Sequence, residues 1–343
     1  MSSLKAYLSN VWHPSRFQGA GQQKNYFEGY YVKIVDAEQG IALAFIPGIS
    51  YDVNGKGHAF IQVLDGVEKT FEYHRFDLKD FAFAKTGFDL TIGKSHFHED
   101  GCTVDLPDLQ ASLSFRPRNP DGTQAQNITW PWKWWSPGAM GPFSFVPGME
   151  CRHGVVSLHH KAEGSLRQNK EPERELSSST IGYIEKDWGK SFPRGWVWLQ
   201  TNHLATETEP CCLMVSAGRV PWVTGAFRGF IAVLYFRGTF LSFTTYNGAK
   251  FELNLDNDSA HMVFSRGTSR RTAGKGKTLT ITAHHAPGVD LISPIPDNGM
   301  HGRVNESMLA TAKVLLTEDG ITTLETDASW LGFEIGGDAS TWK

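Results

Sequence analysis

The sequence predicts an all-β protein built as two consecutive halves, and three observations lead there. Short runs rich in β-branched and aromatic residues recur along all 343 residues, punctuated by Gly, Asn, Asp and Pro, the signature of strands joined by turns. Helical periodicity is scarce throughout. A polar stretch, Leu166 to Ser179 (LRQNKEPERELSSS), interrupts the series of strands and reads as a domain linker or a long exposed loop. The length is large for one core and comfortable for two. The expected division is therefore 1–172 and 173–343, each half an antiparallel sandwich or barrel.

The elements follow in order. Phe27 to Val35 is a strong strand, and its period of two puts Glu28 on one face with Tyr30, Val32 and Ile34. A carboxylate on that apolar face is expected to pair with an Arg or Lys. Ile41 to Pro47 and Ala59 to Leu64 continue a meander through a hairpin turn at Asn54-Gly55. Thr70 to His74, Phe81 to Ala84, Phe88 to Ile92 and Ala111 to Phe115 add strands. Trp130-Pro-Trp-Lys-Trp-Trp-Ser-Pro-Gly138 breaks the pattern, because four indoles among prolines cannot form a central strand. It reads equally well as a plug, a lid over an apolar pocket or a lip on a lipid surface. Glu150 to Lys161 reads as a strand carrying His153, His159 and His160. After Gly182 to His203, a second series of strands runs from Cys212 to Ile335, with turns at Arg237-Gly238 and Asn247-Gly248. The basic stretch Ser265 to Lys277 resembles a phosphate loop only superficially, since Arg271 stands where the first glycine is required.

Composition narrows the function. A net charge of −3 gives no electrostatic footprint for nucleic acid. Cys102, Cys151, Cys211 and Cys212 match neither a disulfide framework nor a zinc knuckle, which fits reduced thiols in a cytoplasmic protein. Met1 to Trp12 shows no secretory signal pattern, and no run reaches the roughly 18 apolar residues of a membrane span. Eleven tryptophans and twenty-two phenylalanines suit a large apolar ligand as well as a core. His96-Phe97-His98 puts two imidazoles on one strand face without a third ligand nearby, so no metal site is assigned. No dinucleotide fingerprint or nucleophile elbow is present.

The densest chemistry lies in Gly182 to His203. Trp196 to His203 alternates, with Trp196, Trp198, Gln200 and Asn202 on one face and Val197, Leu199, Thr201 and His203 on the other. The first face is aromatic and hydrogen-bonding, which suits a cavity wall better than a dry core. Glu185 and Asp187 precede Trp188, a setting that can push a carboxyl pKa up. Ion pairing with Lys186, Lys190 or Arg194 is the plainer reading of the same residues.

Three segments together carry a family resemblance. These are Phe27-Glu-Gly-Tyr-Tyr-Val-Lys33, Gly182-Tyr-Ile-Glu-Lys-Asp-Trp-Gly-Lys-Ser-Phe-Pro-Arg-Gly-Trp-Val-Trp-Leu-Gln-Thr-Asn202 and Gly332-Phe-Glu-Ile-Gly-Gly337, joined by Arg303-Val-Asn-Glu-Ser307. The chain resembles the tocopherol cyclase family and, more distantly, hydratases of the hydroxyneurosporene synthase type. The resemblance implies two tandem lipocalin-like antiparallel β-barrels. It also implies closure of a chromanol ring on a prenylated benzoquinol, with the alkene protonated and the phenol oxygen trapping the cation. Neither metal nor organic cofactor is implied. Such chemistry asks for an acid neutral near pH 7, ring faces for the cation and hydrogen bonds for the phenol. Asp187 is the first expectation for the acid, with Glu185 and Glu28 next. Trp188, Trp196 and Trp198 are expected around the cation, and Tyr30, Gln200 and Asn202 around the quinol head. Other isoprenoid hydration or isomerisation, and a non-catalytic carrier, are the alternatives. The expected partner is an apolar small molecule, and a long-tailed quinol is compatible with peripheral membrane contact.

Overall fold

The computed structural model describes residues 9–118, 121–169, 171–206, 210–222, 225–256, 258–267, 276–296 and 299–338. The core of the basic stretch, 268–275, lies outside them. Strand is the dominant element of the described chain. The first twelve strands are β1 (Tyr26–Asp36), β2 (Ile41–Tyr51), β3 (Gly57–Asp65), β4 (Thr70–Phe76), β5 (Phe81–Phe83), β6 (Asp89–Ile92), β7 (Ser95–His98), β8 (Gly101–Asp105), β9 (Leu109–Phe115), β10 (Cys151–Gln168), β11 (Arg174–Glu175) and β12 (Ile181–Gly189). The rest are β13 (Gly195–Thr201), β14 (His203–Leu204), β15 (Cys212–Trp222), β16 (Gly225–Phe236), β17 (Thr239–Thr244), β18 (Lys250–Asp256), β19 (Ser259–Arg266), β20 (Lys277–His284), β21 (Val289–Ile295), β22 (Gly299–Glu318) and β23 (Ile321–Gly337). Among the described residues no helix is long and apolar enough to cross a membrane.

The strands form two large antiparallel sheets, so the all-β expectation holds. The first runs β4-β3-β2-β1-β12-β10-β9-β8-β7-β6-β5, and the second β17-β16-β15-β13-β23-β22-β20-β19-β18. Neither order returns to its start: among the described residues no ladder joins β4 to β5 or β17 to β18. Each sheet is therefore open in its hydrogen bonding rather than ring-closed. One face of the first sheet carries an apolar core of Val32, Ile34, Leu43, Phe45, Phe97 and Phe115, among others. One face of the second carries Val197, Leu199, Leu213, Phe243, Phe264 and Phe333. In both, every second residue of a strand enters the core, as pleating requires.

The chain divides into two compact units, residues 1–192 with Leu291–Arg303, and residues 193–290 with 304–343. The boundary expected at 172 falls inside the first unit. The reason is topological. The polar stretch Leu166 to Ser179 connects β10 to β12, which are paired neighbours in one sheet. It is also pinned to that sheet: the buried Asp36 carboxylate accepts the Ser177 amide at 2.7 Å, the Ser177 hydroxyl at 2.8 Å and the Thr180 hydroxyl at 3.0 Å. The stretch is thus an exposed loop, with 171–175 open to solvent, rather than a linker between units, and it is tied back to the sheet at its end.

Candidate active site

The segments that carry the resemblance are strand partners. Phe27 to Lys33 on β1 pairs with Tyr183 to Gly189 on β12, Glu28 opposite Trp188 and Tyr31 opposite Glu185. Trp196 to Gln200 on β13 pairs with Gly332 to Gly336 on β23. The first pair builds a site on β12, whose alternation sends consecutive motif residues to opposite faces.

Lys186 and Trp188 point to the apolar face. There Lys186 Nζ is ion-paired with Glu28 Oε1 and donates to Arg16 O at 2.7 Å and Tyr30 Oη at 3.1 Å. Tyr26 Oη donates to Glu28 Oε2 at 2.6 Å, and the Gln18 amide donates to the same carboxylate at 3.0 Å. The ammonium also lies 4.6 Å from the Tyr30 ring centroid and 4.7 Å from that of Trp188, a cation held over two electron-rich faces. Burial pushes the Lys186 pKa down, and Glu28 opposes that. Burial first and Glu28 second push the Tyr26 and Tyr30 phenols well up. A hollow of about 540 Å³ adjoins this network, lined by Tyr26, Trp188, Arg152 and Gln18.

Glu185 and Asp187 point to the other face, towards His153 on β10, which sits opposite Asp187 in register. His153 Nδ1 lies 3.0 Å from Asp187 Oδ1, and Nε2 lies 3.5 Å from Glu185 Oε2. Tyr183 Oη hydrogen-bonds Glu185 Oε2. Burial alone would lower the His153 pKa, but Glu185 and Asp187 overcome it and raise the value to about 9. The imidazole is thus charged at neutral pH and held between two carboxylates. His153 and Glu185 are buried, whereas the Asp187 side chain keeps 26 % of its exposure. The three groups offer ligand atoms within 4.8 Å of one another. A metal could take only one ring nitrogen, however, while the two carboxylates face different nitrogens, so the set suits a shared proton better than an ion.

Several expectations change here. The suggested partners of Glu185 and Asp187 were Lys186, Lys190 and Arg194. Lys186 is on the wrong face and pairs with Glu28 instead, and His153 takes its place. Glu28 has the cationic partner anticipated for it, in Lys186. Trp188 and Tyr30 are separated from Asp187 by the sheet itself. Trp196, Trp198, Gln200 and Asn202 belong to the second unit. Trp198, Gln200 and Asn202 are buried on the face opposite the apolar core, as the alternation predicts. Gln200 Nε2 donates to Asn202 Oδ1 at 2.8 Å, and Trp196 Nε1 donates to Glu334 Oε2 at 3.0 Å. Gly336 faces Trp196 in register, and a Cβ there would stand 2.1 Å from the indole, so glycine lets the ring lie on the neighbouring strand. His153 was missed as a site residue. The residue type was a signal, a histidine on a strand able to pair beside two acids, but the register that selects His153 over His159 and His160 is set by the pairing of β10 with β12.

Fold and cluster together define an all-β protein of two antiparallel sheets, with His153 of β10 set between Glu185 and Asp187 of the neighbouring β12. The family model described as tocopherol cyclase-like matches residues 125–337. The chain belongs to that family. Among solved structures it is similar to CghA, with a TM-score of 0.54 and 9 % identity over 91 % of this chain and 88 % of that one. It is also similar to kievitone hydratase from Nectria haematococca, at a TM-score of 0.44 and 10 % identity over 91 % and 88 %. The likeness to CghA shows a shared fold.

Proposed function

We propose that this chain is a proton-driven isoprenoid cyclase, closing a chromanol ring on a prenylated benzoquinol without a cofactor. The observation that carries the reading is His153 held between Glu185 and Asp187, all three inside the family match and the two acids inside the Gly182–Asn202 motif. The reaction needs a proton delivered to an alkene carbon and then recovered. The His153–Asp187 pair supplies it through Asp187, the member that retains exposure. A tertiary cation forms, the phenol oxygen closes on it, and the phenol proton returns to the pair, so the cluster ends as it began. The Tyr183 ring, two residues from Glu185 on the same face, offers an electron-rich surface.

The test is incubation with a prenylated benzoquinol followed by mass analysis. Cyclisation leaves the mass unchanged and shifts retention, hydration adds one water, and a carrier returns the substrate untouched. Asp187→Asn, with folding checked by circular dichroism, is expected to lose about 10²-fold or more in turnover, the usual scale for a positioned acid. Full turnover in that variant removes the cluster from the chemistry. Turnover is also expected to fall as pH rises through about 9, where His153 loses its proton.

A further inference from the structure

A second polar constellation lies on the apolar face of the first sheet. The register of β10 against β12 shifts twice, between Val155 and Ser157 and again between Ser157 and His160. Without these bulges, odd-numbered residues from His153 onward would share the face of Asp187 and Glu185. The first bulge places Ser157 opposite Ile184, and the second places His160 opposite Gly182, so both side chains turn inward. Ser157 Oγ then lies 2.7 Å from His160 Nδ1 and donates to Asn127 Oδ1 at 2.7 Å. His160 needs Gly182, since a Cβ there would stand 2.2 Å from Nε2. Ser157 and Asn127 line a hollow of about 480 Å³, walled by Trp12, Trp130 and Trp132, with Glu99 and Arg116 also on its border. The indole wall is braced: Trp132 Nε1 donates to Trp12 O at 3.2 Å and Trp12 Nε1 to Trp134 O at 2.9 Å.

We propose that this hollow is a second small-molecule site, built for an apolar hydroxy-aromatic ligand whose hydroxyl is held by Ser157 and Asn127 among the three indoles. The size is that of an ordinary ligand pocket. The Ser157 hydrogen is given to Asn127 Oδ1, so towards a ligand Ser157 Oγ offers a lone pair and the Asn127 amide its N–H, and the pair matches a group that donates and accepts at once. A hydroxyl does so; a bare hydrocarbon does not. The arrangement favours recognition over catalysis, because burial first, and His159 and Arg116 after it, hold the His160 pKa down to about 3, which makes it a poor base for a serine nucleophile. Register turns Ser157 and His160 to the face opposite Asp187, and the acid chemistry uses neither.

Binding of 2-naphthol, with naphthalene as the hydroxyl-free control, tests it through quenching of tryptophan fluorescence and calorimetry on the full chain. The wild type is expected to prefer 2-naphthol by about fivefold, the worth of one net hydrogen bond. Ser157→Ala is expected to abolish that preference while leaving naphthalene binding in place. Trp132→Ala, at a position 58 % exposed and so safe for folding, is expected to weaken both probes. Asp187→Asn is expected to leave 2-naphthol binding unchanged, which separates this site from the catalytic reading. Equal affinity for the two probes in the wild type, or unchanged binding in Trp132→Ala, overturns the proposal. Should Ser157→Ala fail to fold, those two measurements decide alone.

Discussion

Lys186 and Glu28 are a fully buried ion pair, each held further by neighbouring hydrogen bonds. Removing one leaves the other without its partner in low dielectric, which typically costs about 3–5 kcal/mol. Lys186→Met is expected to destabilise on that scale in urea denaturation, and the double variant with Glu28→Gln to recover part of the loss. His153 gives the complementary pH effect. Its folded pKa of about 9 lies above the ordinary 6.5. Its stabilisation is complete below 6.5 and is lost as pH rises to about 9, on the order of 3 kcal/mol. His160, held at about 3, works the other way, losing its contribution as pH falls below 6.5. Stability measured by denaturation across pH is therefore expected to peak near neutrality, with the alkaline slope removed in His153→Gln. The pairing of Glu28 with a cation was legible, because a carboxylate on an apolar strand face has few other fates. Which cation was not, since Lys186 is 158 residues away and only the β1–β12 register joins them.

At the scale of elements, alternation along β13 was readable from its residues, and the structure keeps it: Val197 and Leu199 enter the core and Trp198 and Gln200 do not. The same rule applied to β12 should have split Glu185 and Asp187 from Lys186 and Trp188. Grouping them as one site treated sequence neighbours as spatial neighbours, which a strand forbids. The double bulge in β10 was beyond reach, because a bulge is a property of two paired strands and leaves no mark on one. The loop between β10 and β12 is exposed over 171–175, as its composition suggests. The tie of its end to Asp36, through the Ser177 amide and hydroxyl and the Thr180 hydroxyl, joins residues too far apart to be legible in the chain. Asp36→Ala strands those buried donors and is expected to cost about 1–3 kcal/mol, with proteolysis between β10 and β12 accelerated.

At the scale of the molecule, no disulfide joins the four cysteines, and Cys102, Cys211 and Cys212 are buried. Brief alkylation of the native protein is expected to modify at most Cys151, and all four thiols only after unfolding, read by intact mass; reducing agent should leave the melting temperature unchanged. The sequence alone determined the all-β class, the alternating faces and the family, because strand periodicity, turn residues and a long motif are local properties of the chain. Only the tertiary structure decided where the units divide, that His153 completes the acid cluster, and that the motif serves two faces of one sheet. Those facts depend on register between distant strands. Register is set by the packing of whole faces against each other, not by any segment read alone.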